Sequence, residues 1–167
     1  MDGFILAAKA SLEALPYILG GLWWTAGLII GAMCLGLVLG VPLAVLHVYG
    51  GPISRRLVAT YVWLFRGIPI LVQLYLFYFG ILAYLSEQPA LSFLPLSSGF
   101  FAAVLVLGLT SAAYQSQIFR GAILGLPAGQ LKAARALGMN DATAVRAIIL
   151  PQALRLSIPA WSNEYSI

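Results

Sequence analysis

Uncharged intervals divide the chain into long apolar segments. Between Glu13 and Arg55 no Asp, Glu, Lys or Arg occurs, and the apolar part of that interval is residues 20–46. This exceeds the ~20 residues that a helix needs to cross ~30 Å of hydrocarbon. Two further uncharged intervals predict spans over residues 67–86 and 98–119. Because isolated strands leave backbone groups unsatisfied in lipid, the pattern predicts an all-α, polytopic transmembrane helix bundle.

The region after Arg120 gives a weaker signal for the membrane. Its stretch "AIILPQALRLSIPAW" contains Arg155 and two prolines. An arginine at mid-membrane costs about 2.5–3.5 kcal/mol, whereas each Leu, Ile, Phe or Val contributes only about 0.3–0.6 kcal/mol in favour of insertion. A fourth span over residues 148–164 is therefore expected only where neighbouring helices or water shelter it.

Composition agrees with a lipid environment and excludes several kinds of site. Of the 167 residues, 62% are hydrophobic and 8% are charged, whereas soluble domains are about a quarter charged. The one cysteine, Cys34, excludes a disulfide within the chain, and with His47 it supplies too few ligands for a closed zinc site. The sequence has no G-x-x-x-x-G-K-[ST] loop. We therefore expect no enzyme, and no cofactor, metal or nucleic acid bound by this chain.

Basic residues predict the orientation of the helices. Seven of them lie in segments that share one side of the membrane, and only Lys9 lies on the other side. Because cytoplasmic loops are enriched in Lys and Arg, the N-terminus is expected outside, with residues 1–19 along the outer interface. Asp2 and Glu13, and the lack of a basic n-region, argue against a signal peptide. The seven residues are Arg55, Arg56, Arg66, Arg120, Lys132, Arg135 and Arg146.

Other residues predict how the helices meet each other and the interface. The stretch "HVYGGPISRR" is interpreted as a loop, and Arg66 after it as a headgroup anchor. Tryptophans are typical of the interfacial belts, which suits Trp161 at the outer face and Trp63 at the inner face. Glycines at four-residue spacing permit close helix contact, and they place the first span inside the bundle. They are Gly27, Gly31, Gly36 and Gly40.

Residues 127–147 form a charged, alanine-rich stretch on the predicted inner side. Good helix formers predict a first helix over residues 129–137. Gly138 then stands where a glycine with positive φ commonly ends a helix. Asn140 or Asp141 can cap a second helix. The sequence thus predicts two short helices joined by a glycine turn.

The first of these helices has two contrasting faces. Leu131, Ala134 and Leu137 are expected to share one face, and Lys132 and Arg135 can extend to lipid phosphates. The residues alone leave two interpretations open. The stretch is either an amphipathic connector resting on headgroups or a docking element for a cytoplasmic partner, since alanines let a backbone approach another surface closely.

The same stretch resembles the EAA loop of the inner-membrane permease subunits of bacterial ABC importers. That pattern is Glu-Ala-Ala, three residues, Gly, nine residues, Ile, one residue, Leu-Pro. Lys132 stands where the family has Glu, a reversal of charge. The resemblance implies coupling to an ATPase through Lys132, Ala133, Ala134, Gly138 and Met139. The matching residues are Ala133, Ala134, Gly138, Ile148, Leu150 and Pro151.

Three more stretches resemble the polar amino-acid permeases of the histidine, glutamine and arginine type. "RGIPILVQ" differs from that group's pattern at Ile68, "AYQSQIFRG" has Gln117 in place of an acid, and "LPQALRLSIPAWSN" matches through Asn163. The resemblance implies the type I ABC importer permease fold with a five-helix core. Members continue for one more helix, so the chain is expected to be truncated after the fourth span.

The resemblance also implies a mechanism and partners. The expected partners are an ATP-binding subunit that holds ATP and Mg, a second permease subunit, an extracytoplasmic solute-binding protein, membrane lipid and an amino-acid substrate. Motion of the ATPase would be transmitted through the loop to open the path inward, in the bacterial inner membrane. For that path we name four polar residues, each of which would serve equally well as helix–helix contact. They are Gln73, Tyr114, Gln117 and Asn163.

Two other classes of function stay open. One is an ATPase-independent channel or secondary carrier, although no acid or base lies deep in the three clear spans to relay protons. The other is a non-transporting membrane fragment, which the replaced acids at Lys132 and Gln117 keep in view.

Overall fold

The computed structural model describes the backbone of residues 2–164 and the side chains of residues 13–164. Throughout these residues the regular structure is helical, as the sequence predicts. The α-helices are α1 (Asp2–Tyr49), α2 (Pro52–Gly67), α3 (Ile70–Tyr75), α4 (Ala83–Ser86), α5 (Gly99–Leu124), α6 (Gly129–Ala136), α7 (Asp141–Ala144) and α8 (Leu150–Asn163). A π-helical stretch, Leu76–Leu82, joins α3 to α4, and a second one, Val145–Ile149, joins α7 to α8.

Within residues 2–164, two helices are long and apolar enough to cross a membrane. They are Glu13–Tyr49 within α1 and α5, Gly99–Leu124. The pair Pro52–Gly67 and Ile70–Ser86 adds a third span if the bent pair counts as one. The predicted second span covers residues 67–86, whereas the helix there begins at Ile70. The predicted fourth span covers residues 148–164, and its first two residues belong to the second π-helical stretch, after which α8 begins.

The close packing of α1 against α5 depends on glycines. A Cβ placed on Gly31 would lie 3.0 Å from Val104, and one on Gly40 would lie 3.0 Å from Gln115. From the other side, a Cβ on Gly108 would lie 2.6 Å from Leu35. Since side chains at these positions would force the helices apart, the glycines set their separation. These distances agree with the prediction that the glycines permit close helix contact, and the place of the first span inside the bundle stays a prediction.

The segment between the first two predicted spans is a helix, not a loop. α2 begins with Pro52 at its first turn, where the missing N–H costs little. It ends at Gly67, and the next residue, Ile68, has the extended backbone that a following proline imposes. The chain then turns by 104° into α3. Beside this bend, Tyr61 of α2 donates a hydrogen bond to the Leu109 carbonyl in the middle of α5, at 2.6 Å.

Apolar cores lie at the two ends of the bundle. At the end where residues 125–140 connect α5 to α7, here called the loop end, six buried side chains from α1, α5, the second π-helical stretch and α8 pack together. A smaller core of Leu82, Leu96 and Ala102 lies at the opposite end. The members of the loop-end core are Ala44, Phe119, Ile123, Val145, Ile149 and Ala153.

Candidate functional site

The loop between α5 and α8 has the helix–glycine–helix form that the sequence predicts. After α6, Gly138 has a φ of +82°, in the left-handed region. Its N–H donates to the Arg135 carbonyl at 2.9 Å, and the Met139 N–H donates to the Ala134 carbonyl at 3.0 Å. These two bonds form a Schellman motif, which satisfies carbonyls at the end of a helix. The predicted glycine turn is therefore confirmed.

Two side chains close the second half of this turn. Asn140 caps α7, since its Oδ1 accepts a hydrogen bond from the Thr143 N–H at 2.8 Å. Across the turn, Arg135 donates two hydrogen bonds to Asp141, at 2.6 and 2.7 Å. Hydrogen bonding to Arg135 lowers the pKa of Asp141, and Asp141 in turn raises the pKa of Arg135. The backbone bonds at Gly138 and the Arg135–Asp141 ion pair thus hold α6 and α7 in a fixed arrangement.

One face of α6 rests on the body of the protein. Ala134 is buried and Leu131 packs against the loop-end core. The prediction that Leu137 shares this face is wrong: Leu137 is 82% exposed, because the chain leaves helical geometry at that residue. Among the predicted coupling residues, Lys132, Ala133 and Gly138 are exposed, Met139 is half-buried and Ala134 faces its own chain.

A polar cleft of about 380 Å³ lies between α2, α5 and α8. It contains three of the four residues predicted for the path. Arg66 and Glu164, which the sequence did not assign to the path, complete its polar lining. The lining residues are Arg66, Tyr114, Gln117, Ile118, Ala160, Asn163 and Glu164.

The two charged residues bring opposite charges to this cleft. The Arg66 guanidinium carbon lies 4.6 Å from the centre of the Tyr114 ring, a favourable cation–π distance. Arg66 thus lies against the middle of α5, and the headgroup location expected for it stays a prediction. Glu164 Oε1 accepts a hydrogen bond from Ser111 at 2.8 Å, while its buried Oε2 has no hydrogen-bond partner among the described residues. The cleft therefore offers a cation, a carboxylate and neutral polar groups together.

A hydrogen-bond network behind the cleft joins α1, α5 and α8. The Gln115 amide donates to Ser111 at 2.9 Å and to the Met33 carbonyl at 3.3 Å. Its oxygen accepts from the indole N–H of Trp161 at 3.0 Å. Trp161 thus turns toward α5, where Gln115 offers a buried acceptor, and the interfacial position expected for Trp161 stays a prediction.

Gln73 lies apart from the cleft, at the bend between α2 and α3. Its amide donates to the Phe65 carbonyl at 3.0 Å and to the Ile68 carbonyl at 2.7 Å. Its oxygen accepts from the Thr110 hydroxyl at 3.0 Å. These bonds satisfy carbonyls that the end of α2 leaves open and tie the bend to α5. The path role named for Gln73 stays a prediction, and the structure favours the alternative of helix–helix contact.

Comparison with protein families identifies the chain. The family model "Binding-protein-dependent transport system inner membrane component" matches residues 32–164. The chain belongs to this family. It is therefore an inner-membrane protein, in keeping with its long apolar helices.

Curated relatives of this inner membrane component are permease proteins. It is 42% identical over 146 residues to the arginine transport system permease protein ArgU of Corynebacterium glutamicum, covering 84% of this chain and 46% of ArgU. It is 39% identical over 158 residues to the histidine/lysine/arginine/ornithine transport system permease protein HisM of Salmonella typhimurium, covering 93% of this chain and 67% of HisM. The chain thus spans about half to two thirds of these relatives' lengths.

Solved structures share the fold of this inner membrane component. A crystal structure of an amino acid ABC transporter with histidines matches with a TM-score of 0.73 and 32% identity, covering 94% of this chain and 69% of that one. The inward-facing MetNI methionine ABC transporter matches with a TM-score of 0.74 and 24% identity, covering 89% and 68%. The predicted ABC importer permease fold is confirmed.

Proposed function

We propose that this chain is a membrane-spanning subunit of an ATP-driven amino-acid importer. The observation that carries the proposal is the preformed helix–glycine–helix loop, whose exposed face holds Lys132 and Ala133 while Leu131 and Ala134 rest on the bundle. The names of the relatives, which include arginine and histidine permeases, support the choice of substrate class.

The loop fits the role of a lever because it is attached to a core shared by several spans. Leu131 packs against the loop-end core, to which α1, α5 and α8 contribute Ala44, Phe119 and Ala153. Protein interiors are close-packed and transmit displacement. A cytoplasmic ATPase that closes on ATP would press on the exposed face and move the inner ends of these helices together. The result is alternation between an outward-open and an inward-open path.

The cleft supplies the chemistry for an amino-acid substrate. An α-amino acid carries a carboxylate and an ammonium group. Arg66 complements the first and Glu164, whose Oε2 has no hydrogen-bond partner among the described residues, complements the second. Tyr114, Gln117 and Asn163 add neutral hydrogen-bonding groups. We assign the path to this cleft, and we assign Gln73 to the bend.

The remaining parts of the importer are separate chains. We propose an ATP-binding subunit that holds ATP and Mg, a second permease subunit in a homo- or heterodimer, and a solute-binding protein on the outer side. The N-terminus then lies outside and the loop lies in the cytoplasm.

Copurification from native membranes tests the assembly. The tagged chain is expected to bring down a nucleotide-hydrolysing subunit, and the complex in proteoliposomes is expected to take up arginine or histidine only with ATP. Transport at full rate by the chain without any ATPase would instead support a channel or secondary carrier. Recovery of the chain alone, with no uptake, would support a non-transporting fragment.

Labelling tests the orientation. The variant Lys132→Cys in a Cys34→Ala background has one thiol, because the sequence has one cysteine. It is expected to react with a membrane-impermeant maleimide only after the cytoplasmic side is opened. Reaction in intact cells would place the loop on the outer side and contradict the proposal.

A further inference from the structure

Gln152 belongs to the Leu-Pro-Gln-Ala run at the start of α8, to which the coupling loop and the cleft give no role. In the structure its side chain faces Gln130, at the second position of α6. Gln130 Nε2 donates to Gln152 Oε1 at 2.9 Å, and Gln152 Nε2 donates back to Gln130 Oε1 at 3.2 Å. Gln152 Nε2 also donates to the Ile148 carbonyl at 2.7 Å. We call the Gln130–Gln152 pair the glutamine clasp.

The clasp differs in kind from the other contacts of α6 with the bundle. Leu131 and Ala134 meet the body through apolar surfaces, and apolar contact is non-directional. Such contact passes a push on α6 into the core, but it sets no hydrogen-bonded position of α6 relative to α8. Two amides that exchange hydrogen bonds do so only at heavy-atom distances of about 2.7–3.2 Å and near-linear angles. The clasp therefore fixes the register between α6 and α8.

The position of Gln152 makes that register mechanically important. The bond to the Ile148 carbonyl fixes the Gln152 side chain against its own helix, so a displacement of Gln130 reaches the backbone of α8. Fourteen residues of helix at ~1.5 Å per residue carry the displacement along α8. Asn163, at the far end of that helix, lines the cleft. A single helix thus joins the clasp to the proposed path.

We propose that the glutamine clasp is the strut that converts movement of α6 into movement of α8, with both glutamines acting as positioning residues. This inference rests on the proposed function. Without the clasp, α6 still packs through Leu131 and still presents its exposed face to the ATPase. A push on α6 still enters the core through Leu131, but α8 is no longer held to α6 at Gln152, so ATP is hydrolysed while the cleft stays closed.

The test measures ATP hydrolysed per amino acid transported, with the assembled complex in proteoliposomes and arginine and histidine as probes. For Gln130→Ala and for Gln152→Ala we expect normal recovery of the ATPase and hydrolysis within about twofold of the unmodified complex. We expect uptake to fall about tenfold, the effect of losing two hydrogen bonds that each contribute modestly. The ratio therefore rises about tenfold.

Two further variants serve as rescue and control. In Gln130→Glu combined with Gln152→Lys, a carboxylate accepts from an ammonium group at the same place, and we expect the normal ratio to return. Gln88→Ala alters an exposed glutamine in the segment between α4 and α5 and is expected to leave the ratio unchanged.

The outcomes separate this inference from the proposed function. If the unmodified complex shows no ATP-dependent uptake of either probe, the proposed function fails and the clasp fails with it. If that complex is coupled and both alanine variants keep its ratio, only the clasp is wrong. Loss of the ATPase from the alanine variants would also overturn the inference about the clasp. The glutamines would then maintain the docking surface, and not the register between α6 and α8.

Discussion

Trp161 and Gln115 are joined by a hydrogen bond from the indole N–H to the amide oxygen, 3.0 Å long. The pair connects α8 with α5 across 46 residues of sequence. Gln115 is fully buried, and its amide nitrogen is bonded to Ser111 and to the Met33 carbonyl. One side chain thus holds three helices in contact behind the cleft.

Replacing Trp161 with phenylalanine is expected to destabilise the protein. The substitution keeps an aromatic ring but removes the donor, so the buried Gln115 oxygen loses this partner at a cost of about 1–3 kcal/mol. The change is measured as a lower thermal-unfolding temperature in detergent. Trp63→Phe is the control, because Trp63 is 74% exposed and should leave the temperature unchanged. Equal effects of the two variants would contradict this account of the network.

Two glycines of α1 are expected to respond to alanine in opposite directions. A Cβ on Gly36 would lie 2.5 Å from Gln115 Nε2 and 2.7 Å from Ser111 Oγ. Gly36→Ala should therefore destabilise the protein by about 1–3 kcal/mol through overpacking. Gly21 has no neighbour within 4 Å among the described residues, so Gly21→Ala should be neutral or stabilising by about 0.5–1 kcal/mol. The same melting measurement checks both, and a stabilising Gly36→Ala would refute the close helix contact.

Leucine at Gln73 is expected to reduce stability, whereas leucine at Gln117 is expected to reduce transport. Gln73→Leu leaves the Phe65 and Ile68 carbonyls without the amide that now bonds them, each at a cost of about 1–3 kcal/mol. It should lower the melting temperature strongly. Gln117→Leu changes the lining of the cleft and should reduce uptake while the melting temperature stays nearly normal. Normal stability with reduced uptake for Gln73→Leu would instead indicate that Gln73 lines the path.

Local features of this chain and three polar residues of the cleft followed from its sequence, whereas the two charged residues of the cleft, Arg66 and Glu164, did not. The Gly138 turn depends on neighbouring residues alone, and the uncharged interval over residues 98–119 predicted most of α5, Gly99–Leu124. Arg66 resembled a headgroup anchor because its position beside Tyr114 depends on the bend after α2. That bend is tied to a helix some 40 residues later, through Thr110, and a one-dimensional pattern carries no such pairing.

Gly138→Leu is expected to abolish copurification of the ATPase while leaving membrane insertion intact. The φ of +82° at this position costs an ordinary L-residue about 1–2 kcal/mol, so the turn would open and separate α6 from α7. Asparagine tolerates this backbone region, and Gly138→Asn should keep most of the bound ATPase. Pull-down with normalised membrane levels measures both. Normal ATPase binding by Gly138→Leu would show that the loop is not part of the docking surface.

Asp141 is expected to titrate below its ordinary value of 3.8, because Arg135 lowers the pKa of its carboxyl. For a carboxyl whose folded pKa is depressed, the stabilisation is present above the unfolded pKa and disappears as the pH falls through the folded value. The loop should therefore keep this contact unchanged from pH 5 to 8 and lose it only in stronger acid. The sequence has two aspartates, Asp2 and Asp141, so carboxyl-labelled aspartate gives two NMR signals in nanodiscs, and Asp2→Asn leaves one. Arg135→Gln should move that signal's midpoint back up, and an unchanged midpoint would show that Arg135 does not stabilise the carboxylate.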